Sequence, residues 1–409
     1  ALAASVNKGG CRPVYTAGKI VVPLADGRLQ AFSATTLHCI WVSDPLPQGT
    51  ITHELALAAL SSTAVPAAAL EGADARRAIS YLSSHQSLSS LFVHDGYIYA
   101  GTAIADAEAT YGGCLMCVDA NTGALRWKRT NDASGYYWAG AAESNGYVLM
   151  CGDDGDLEAI PADSKTGDPV HRLSFSAGMR STVVAEGDYA FCVTRDGVFH
   201  KIAVSTDGSL HEVGSVRFAA TSTSTPTVVS GVTYVGGALT DGNGDLACID
   251  LTTMACTAVV SADGRPLHGE VKSRPLVSRQ QDATYVYVTC NHSDSAVYAL
   301  KAGSSAAQVA FRPDPDNADY CLSSLAADAH GRLYYVNDGG CLFALKVASA
   351  LNGASSTASE PSTPSASSRV LGAQMPTGVS AGSSMGFIGG SGSFAEEAGL
   401  LAVTSLDQA

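Results

Sequence analysis

A recurring unit of strands and tight turns constrains this chain more than any other feature of its sequence. The clearest copy runs from Gly113 to Trp127, where a strand with alternating faces leads through an Asn-Thr-Gly turn into a second strand that ends in tryptophan. Two shorter strands around the turn Asp95-Gly96 precede it. Four antiparallel strands in about fifty residues predict one blade of a β-propeller. Since one blade cannot bury both of its faces, the unit must recur.

The unit does recur, with the third strand of each copy as its marker. That strand carries the signature Gly-x-Leu-x-Ala-apolar or a close variant. It occurs at residues 27–32, 113–118, 155–160, 197–202, 244–249, 295–300 and 340–345. These repeats predict an all-β propeller of four-stranded blades that occupies the whole chain, residues 1–409, as one domain.

The C-terminal part leaves the number of blades open. Residues 347–368 are rich in Ser, Ala and Pro and read as a low-complexity loop. Residues 369–409 then predict the last strand of blade seven and a degenerate eighth blade, which the N-terminal segment would complete. Such closure would remove exposed sheet edges. Seven blades followed by a C-terminal tail are the alternative.

The longest insertion, residues 44–88, lies between blades one and two. Its segments 54–60 and 73–82 have helical spacing and are separated by Pro66, so we predict an inserted helical loop. It would serve either as a lid or partner surface, or simply as packing.

Net charge and cysteine usage exclude several classes of function. A net charge of −14 argues against nucleic-acid binding and against an acidic membrane surface. No apolar run approaches the length of a transmembrane helix, about 18 residues.

Most of the 11 cysteines fall in repeated columns of the blades, too far apart for disulfides, and are expected to be reduced and buried. Cys11 is the expected exception, because it lies near the predicted ring closure, within reach of Cys321 or Cys341.

Neither of two candidate metal motifs is convincing. Cys114 and Cys117 lie three apart on a strand and therefore point to opposite faces. Asp241-x-Asn243-x-Asp245 begins like a calcium loop, but Thr252 stands where the bidentate glutamate would be. We therefore expect no bound metal, and an ordinary turn at residues 241–245.

The motif from Gly113 to Trp127, Gly-x-Leu-x-Ala-apolar-Asp-x-x-Thr-Gly-x-x-x-Trp in its general form, resembles the repeat of the pyrroloquinoline-quinone (PQQ)-like propellers. That family includes quinoprotein alcohol dehydrogenases and the non-enzymatic scaffold of the outer-membrane barrel assembly machinery. The enzymes use a vicinal disulfide and an outer girdle of tryptophans. This chain has no Cys-Cys pair and no Cys-x-x-Cys-His haem motif, and the repeat tryptophan occurs only at Trp41 and Trp127. Neither PQQ nor Ca²⁺ is therefore expected as a cofactor.

Long loops collect on one face of the predicted propeller, and elaborated loops on a rigid scaffold often carry function. They connect successive blades, or the second and third strands within a blade, as at 102–112 and 237–244. Basic and aromatic residues of these loops form a candidate site for an anion, because guanidinium pairs well with carboxylate or phosphate. The candidates are Trp138, Arg180, Arg265, His268, Lys272, Arg274 and Tyr320. The alternative is that the arginines only bond backbone carbonyls.

These observations favour a non-catalytic, extracytoplasmic scaffold that binds a protein or an anionic small ligand through the loop-rich face. The alternative is a propeller enzyme of quinoprotein-dehydrogenase type that uses the mouth of the central channel. The resemblance alone does not separate the two functions, because one fold hosts many.

Overall fold

A computed structural model of the protein describes residues 13–23, 28–43, 86–87, 89–105, 110–131, 133–279, 283–328 and 331–346. Several predictions lie outside these residues: closure by the N-terminal segment, the helical segments 54–60 and 73–82 of the insertion, the low-complexity loop, the last strand of blade seven, the eighth blade, and the pairing of Cys11. The number of blades beyond seven therefore stays a prediction. Of the predicted insertion 44–88 the structure describes residues 86–87, which form a strand and not part of a loop.

The described chain consists almost entirely of antiparallel sheets in chain order, which confirms the all-β propeller. Blade one contains Val14–Thr16, Lys19–Pro23, Leu29–Ser33 and Cys39–Val42. The four strands of blade two are Phe92–His94, Tyr97–Ala105, Thr110–Asp119 and Leu125–Asn131, and an additional two-residue strand, Gln86–Ser87, also pairs with Tyr97–Ala105. Blades three and four contain Ala141–Ser144, Tyr147–Cys151, Asp156–Pro161 and His171–Ser174, then Val184–Glu186, Tyr189–Thr194, Val198–Val204 and Leu210–Arg217.

The remaining three blades follow the same order. Blades five and six contain Thr227–Val229, Val232–Ala238, Gly244–Asp250 and Cys256–Ser261, then Leu276–Arg279, Thr284–Thr289, Val297–Lys301 and Ala306–Phe311. A short 3₁₀ helix, Pro315–Asn317, precedes blade seven. The described strands of blade seven are Ala326–Ala327, Arg332–Val336 and Leu342–Lys346.

The two-residue turns expected between first and second strands are present. In four blades both turn residues have positive φ, which is the conformation of a type I′ hairpin. These pairs are Ala17-Gly18, Asp95-Gly96, Asn145-Gly146 and Ser230-Gly231. The turns fix the strand register, so that Ser144 pairs with Tyr147 and Val229 with Val232.

Successive blades contact one another through their first strands, which places those strands nearest the propeller axis. Parallel bridges join Ser90 to Gly140 and Gly140 to Thr182 near the starts of three successive blades. Farther out, the fourth strands of blades five and six pair in parallel at Val260 and Ala306.

The repeat motif Thr-Gly-x-x-x-Trp has a packing role between blades. Trp41 donates its indole N–H to the Ala120 carbonyl of the next blade at 3.3 Å. A Cβ on Gly123 would lie 2.7 Å from the Trp41 ring, and one on Gly167 would lie 2.4 Å from Trp127. Each tryptophan therefore rests on the turn of the following blade, and only glycine leaves room for it.

A serine just before the first strand fastens four of the blades. In blades two, five, six and seven its hydroxyl accepts a hydrogen bond from a backbone N–H of the second strand. The donor–acceptor pairs are Gly101 to Ser89, Gly236 to Ser224, Thr289 to Ser273 and Val336 to Ser323. Ser273 and Ser323 also donate to the carbonyls of the same partner residues. The serines thereby satisfy backbone groups that the sheet ladder leaves unpaired.

One local expectation was wrong. Residues 102–112 are not a long loop, because Tyr97–Ala105 and Thr110–Asp119 pair as an extended hairpin.

Cys39 and Cys256 are exposed, since both lie on outer strands, whose outward side faces solvent. Six of the ten described cysteines are buried, and no disulfide joins any of the ten. Burial raises the pKa of the Cys114 and Cys117 thiols to about 11.

A candidate binding face

All seven candidate residues lie on loops of one face of the propeller. In a four-stranded antiparallel blade, the loop between the second and third strands and the loop to the next blade emerge at the same end. Trp138, Arg180 and Tyr320 lie in loops that join blades, as do Arg265, His268, Lys272 and Arg274. We call this end of the molecule the loop-rich face. Side-chain contacts divide the seven into separate groups.

The first group is centred on a buried ion pair between Arg180 and Asp153. The Arg180 Nη2 lies 2.7 Å from Asp153 Oδ2, and Nε lies 3.0 Å from Oδ1. Only 3% of the Arg180 side chain and 2% of the Asp153 side chain is exposed. Arg195 approaches the same carboxylate at 3.7 Å. Burial is the main cause that lowers the pKa of the Arg195 guanidinium, and the neighbouring positive charge of Arg180 lowers it further. The Arg180 charge is thus matched by an internal carboxylate.

Two aromatic residues cover this ion pair. The Arg180 guanidinium lies 4.5 Å from the centre of the Tyr137 ring, in a cation–π contact. Tyr137 in turn stacks on Trp138, with ring centroids 4.7 Å apart. Trp138 has φ +57°, which is unusual for a large side chain. Its indole Nε1 is buried and has no hydrogen-bond partner in the described part of the protein.

Arg274 lies apart from that group, between the starts of blades five and seven. Its Nε donates to Thr227 Oγ1 at 3.2 Å, and its backbone N–H donates to Ser324 Oγ at 2.8 Å. Burial lowers the pKa of its guanidinium. Among the described residues no carboxylate pairs with it, in contrast to Arg180.

A second group gathers around Asp294 in the loop between the second and third strands of blade six. His268 Nε2 lies 3.0 Å from Asp294 Oδ1, and His292 Nδ1 hydrogen-bonds the same oxygen. The two imidazole rings are 4.0 Å apart, and His292 is 6.3 Å from the ring of Tyr320. Arg312 contacts the other carboxylate oxygen at 3.3 Å. Burial would raise the pKa of Asp294, but the hydrogen bond from His292 and the nearby charges lower it.

Lys272 and Arg265 have their own acidic neighbours. The Lys272 Nζ lies 3.2 Å from Glu270, and Arg265 lies 3.9 Å from Asp263. The Arg265 side chain is 84% exposed, and nearly half of Tyr320 is exposed. Of the seven candidates, Arg265 is presented most openly to a partner, and His268 is as exposed as Tyr320.

The supposed calcium loop adopts an ordinary turn. Asn243 donates its backbone and side-chain N–H groups to the two carboxylate oxygens of Asp241. Asp245 lies instead on the third strand of blade five and is 7% exposed. Burial raises the pKa of Asp245 to about 6.

Sequence reasoning placed the basic and aromatic residues on this face but missed the aspartates and the histidine that they contact. Asp153, His292 and Asp294 all lie in loops between second and third strands, far along the chain from the residues they contact. Their positions in the repeat could have indicated them. Cys151 and Cys290 stand at equivalent places at the end of the second strand, and the polar loop that follows each of them carries the missed residues.

Comparisons with known proteins agree with the fold. The family model for the outer membrane protein assembly factor BamB matches residues 112–349, more than half of the chain. A crystal structure of BamB from Moraxella catarrhalis is similar with a TM-score of 0.53 and 16% identity, covering 84% of this chain and 86% of that one. The computationally designed protein Ika8 is similar with a TM-score of 0.52 and 12% identity, covering 83% and 85%. No curated protein matches the chain in sequence.

The described residues contain no helix long and apolar enough to cross a membrane.

Proposed function

Because this chain belongs to the PQQ-like propeller family represented by the outer membrane protein assembly factor BamB, we propose that it is a non-catalytic scaffold that binds another protein through its loop-rich face. The family description supports an assembly role in an extracytoplasmic compartment. An anionic small molecule is the alternative ligand for the same face, and a quinoprotein-type enzyme is the alternative function.

The observation that carries the proposal is the kind of side chain that the loop-rich face offers. Tyr, Trp and Arg are enriched where proteins bind each other, and they supply most of the binding energy there. This face presents Tyr320 and Arg265 to solvent, and it holds Trp138 in a backbone conformation that costs about 1–2 kcal/mol.

A crosslinking experiment tests the proposal. A photoreactive phenylalanine analogue replaces Tyr320 in one variant, and Tyr15, which is 70% exposed next to a turn on the opposite face, in the matched control. Each purified variant is irradiated with detergent-solubilised envelope proteins. We expect a discrete crosslinked species from position 320 that Arg265→Ala weakens, and none from position 15. Equal crosslinking from both positions, or none from either, would contradict the proposal.

A titration with PQQ and Ca²⁺ separates the scaffold from the enzyme. We expect no saturable binding and no dye-linked alcohol oxidation. Turnover that Arg274→Ala abolishes would favour the enzyme instead, because Arg274 is the candidate arginine for which no carboxylate partner is found among the described residues.

A further inference from the structure

Two histidines and one aspartate converge on the loop-rich face in a way that the scaffold function does not require. His268 Nε2 and His292 Nδ1 both point at Asp294 Oδ1, and one donor atom from each residue lies within 4.8 Å of the others. Imidazole nitrogen and carboxylate oxygen are ligands that zinc takes in proteins. The three donors come from two loops that are separate in the sequence.

The backbone holds those two loops together. Asn291 donates its N–H to the Glu270 carbonyl at 2.7 Å, in an isolated antiparallel bridge next to both histidines. A Cβ on Gly269 would lie 2.7 Å from the His292 Cβ, so the close approach of the loops depends on glycine here. A turn from His292 to Ser295 then places Asp294 beside the histidines.

A further contact orients the aspartate. Arg312 Nη1 donates to the Asp294 backbone carbonyl at 2.6 Å and contacts Oδ2 at 3.3 Å. That leaves Oδ1 directed at the two imidazoles. Groups that fix a ligand in this way commonly change metal affinity by about 10–100-fold.

The exposure of the cluster leaves room for further ligands. The side chains of His268, His292 and Asp294 are 48%, 39% and 55% exposed. Three protein ligands with access to water are typical of open zinc sites, in which solvent or a substrate takes the fourth position. Two nitrogen donors disfavour Ca²⁺ and Mg²⁺, which prefer oxygen.

We propose that His268, His292 and Asp294 bind one zinc ion on the loop-rich face, with at least one coordination position open to water or to a carboxylate of a bound molecule. The ion would join the loop before blade six to the loop within it. This inference does not depend on the proposed scaffold function.

Metal titration of the full chain tests it. The protein is stripped with a chelator and titrated calorimetrically with ZnCl₂, and separately with CaCl₂ and MgCl₂. The variants are His268→Gln, His292→Gln and Asp294→Asn, with His38→Gln as the matched control, because His38 is exposed on a turn of the opposite face. We expect one zinc per chain, at least about tenfold weaker binding in each of the three variants, and unchanged binding in His38→Gln.

A second measurement guards against variants that misfold. Zinc should raise the unfolding temperature of the native chain and of His38→Gln, and should leave that of the His268→Gln/His292→Gln double variant unchanged, because an ion that binds only the folded state stabilises it. Cobalt(II) in place of zinc should give the visible absorption of a four-coordinate site. Zinc binding that survives the double variant, an absence of stoichiometric binding, or a preference for Ca²⁺ would each overturn the proposal.

Discussion

The loops between the second and third strands of blades three and six occupy the same place in the repeat but have opposite surroundings. In blade three the loop delivers Asp153 to Arg180, and both side chains are buried. In blade six it delivers His292 and Asp294 to His268, and all three side chains remain more than a third exposed. The same loop of the repeat thus supplies a buried ion pair in blade three and solvent-exposed imidazole and carboxylate groups in blade six. The repeat determines where a side chain is delivered, and the neighbouring loops determine what it can do.

The largest expected effect tests burial as the cause of that difference. Asp153→Asn leaves Arg180 buried beside a neutral partner, and should lower the free energy of unfolding by about 3–5 kcal/mol. Asp294→Asn, in the equivalent loop, should cost less than about 1 kcal/mol because its contacts are half-exposed. Urea denaturation of the metal-free variants measures both. Similar losses would show that burial does not distinguish the two loops.

An intermediate effect concerns acids at the start of the third strand. The Asp156 carboxylate in blade three accepts a hydrogen bond from the Ser174 hydroxyl and contacts Arg172, whereas the Asp245 carboxylate in blade five has no hydrogen bond or ion pair among the described residues. The pKa of Asp245 is about 6 in the folded state and near 4 when unfolded. The folded state therefore binds this proton more tightly, and stability is lost as pH rises from 4 to 6.

Asp245→Asn removes that loss. This substitution should leave the free energy of unfolding nearly unchanged below pH 4 and should raise it by up to about 2–3 kcal/mol above pH 6. Asp156→Asn is the matched variant, and should destabilise by about 1 kcal/mol because it weakens existing contacts. Thermal unfolding of both variants between pH 4 and pH 8 provides the measurement. A constant difference across this pH range for Asp245→Asn would refute the assignment.

The smallest expected effect is a difference in salt dependence. A double-mutant cycle of Arg312→Gln and Asp294→Asn should give a coupling free energy of about 0.5 kcal/mol that falls toward zero in 1 M NaCl. The corresponding cycle for Arg180 and Asp153 should keep most of its coupling, since little solvent reaches the pair. Equal screening of both cycles would argue that the blade three pair is open to water.

Much of the fold could be predicted because the repeat determines its local chemistry. The third-strand signature and the Asp-Gly and Asn-Gly turns locate strands and hairpins without any knowledge of neighbouring blades. The strands on either side of residues 102–112 were predicted, but their extension to Ala105 and from Thr110 was missed because the polar and small residues there resemble a loop. Burial of most cysteines was also predictable from their repeated columns, and the two exposed ones, Cys39 and Cys256, lie on outer fourth strands.

The candidate site was predictable only in part, for a related reason. Spacing places His268, Tyr320 and Arg180 on one face, since loop class determines the face. Sequence spacing does not indicate which distant acidic residue each of these side chains contacts. Asp153 lies 27 residues from Arg180, and Asp294 lies 26 residues from His268. Only the arrangement of the blades brings these pairs together.

The serines that fasten blades two, five, six and seven make the preceding loops replaceable. Ser89 follows directly on the insertion 44–88, and its hydroxyl accepts from Gly101 of the second strand. A preceding loop of any length therefore leads into the blade at the same point, where the Ser89 hydroxyl bonds the second strand. Loops of this face can therefore lengthen or change sequence without shifting the strand register behind them. The propeller can acquire new surfaces one loop at a time while its hydrogen-bonded frame stays the same.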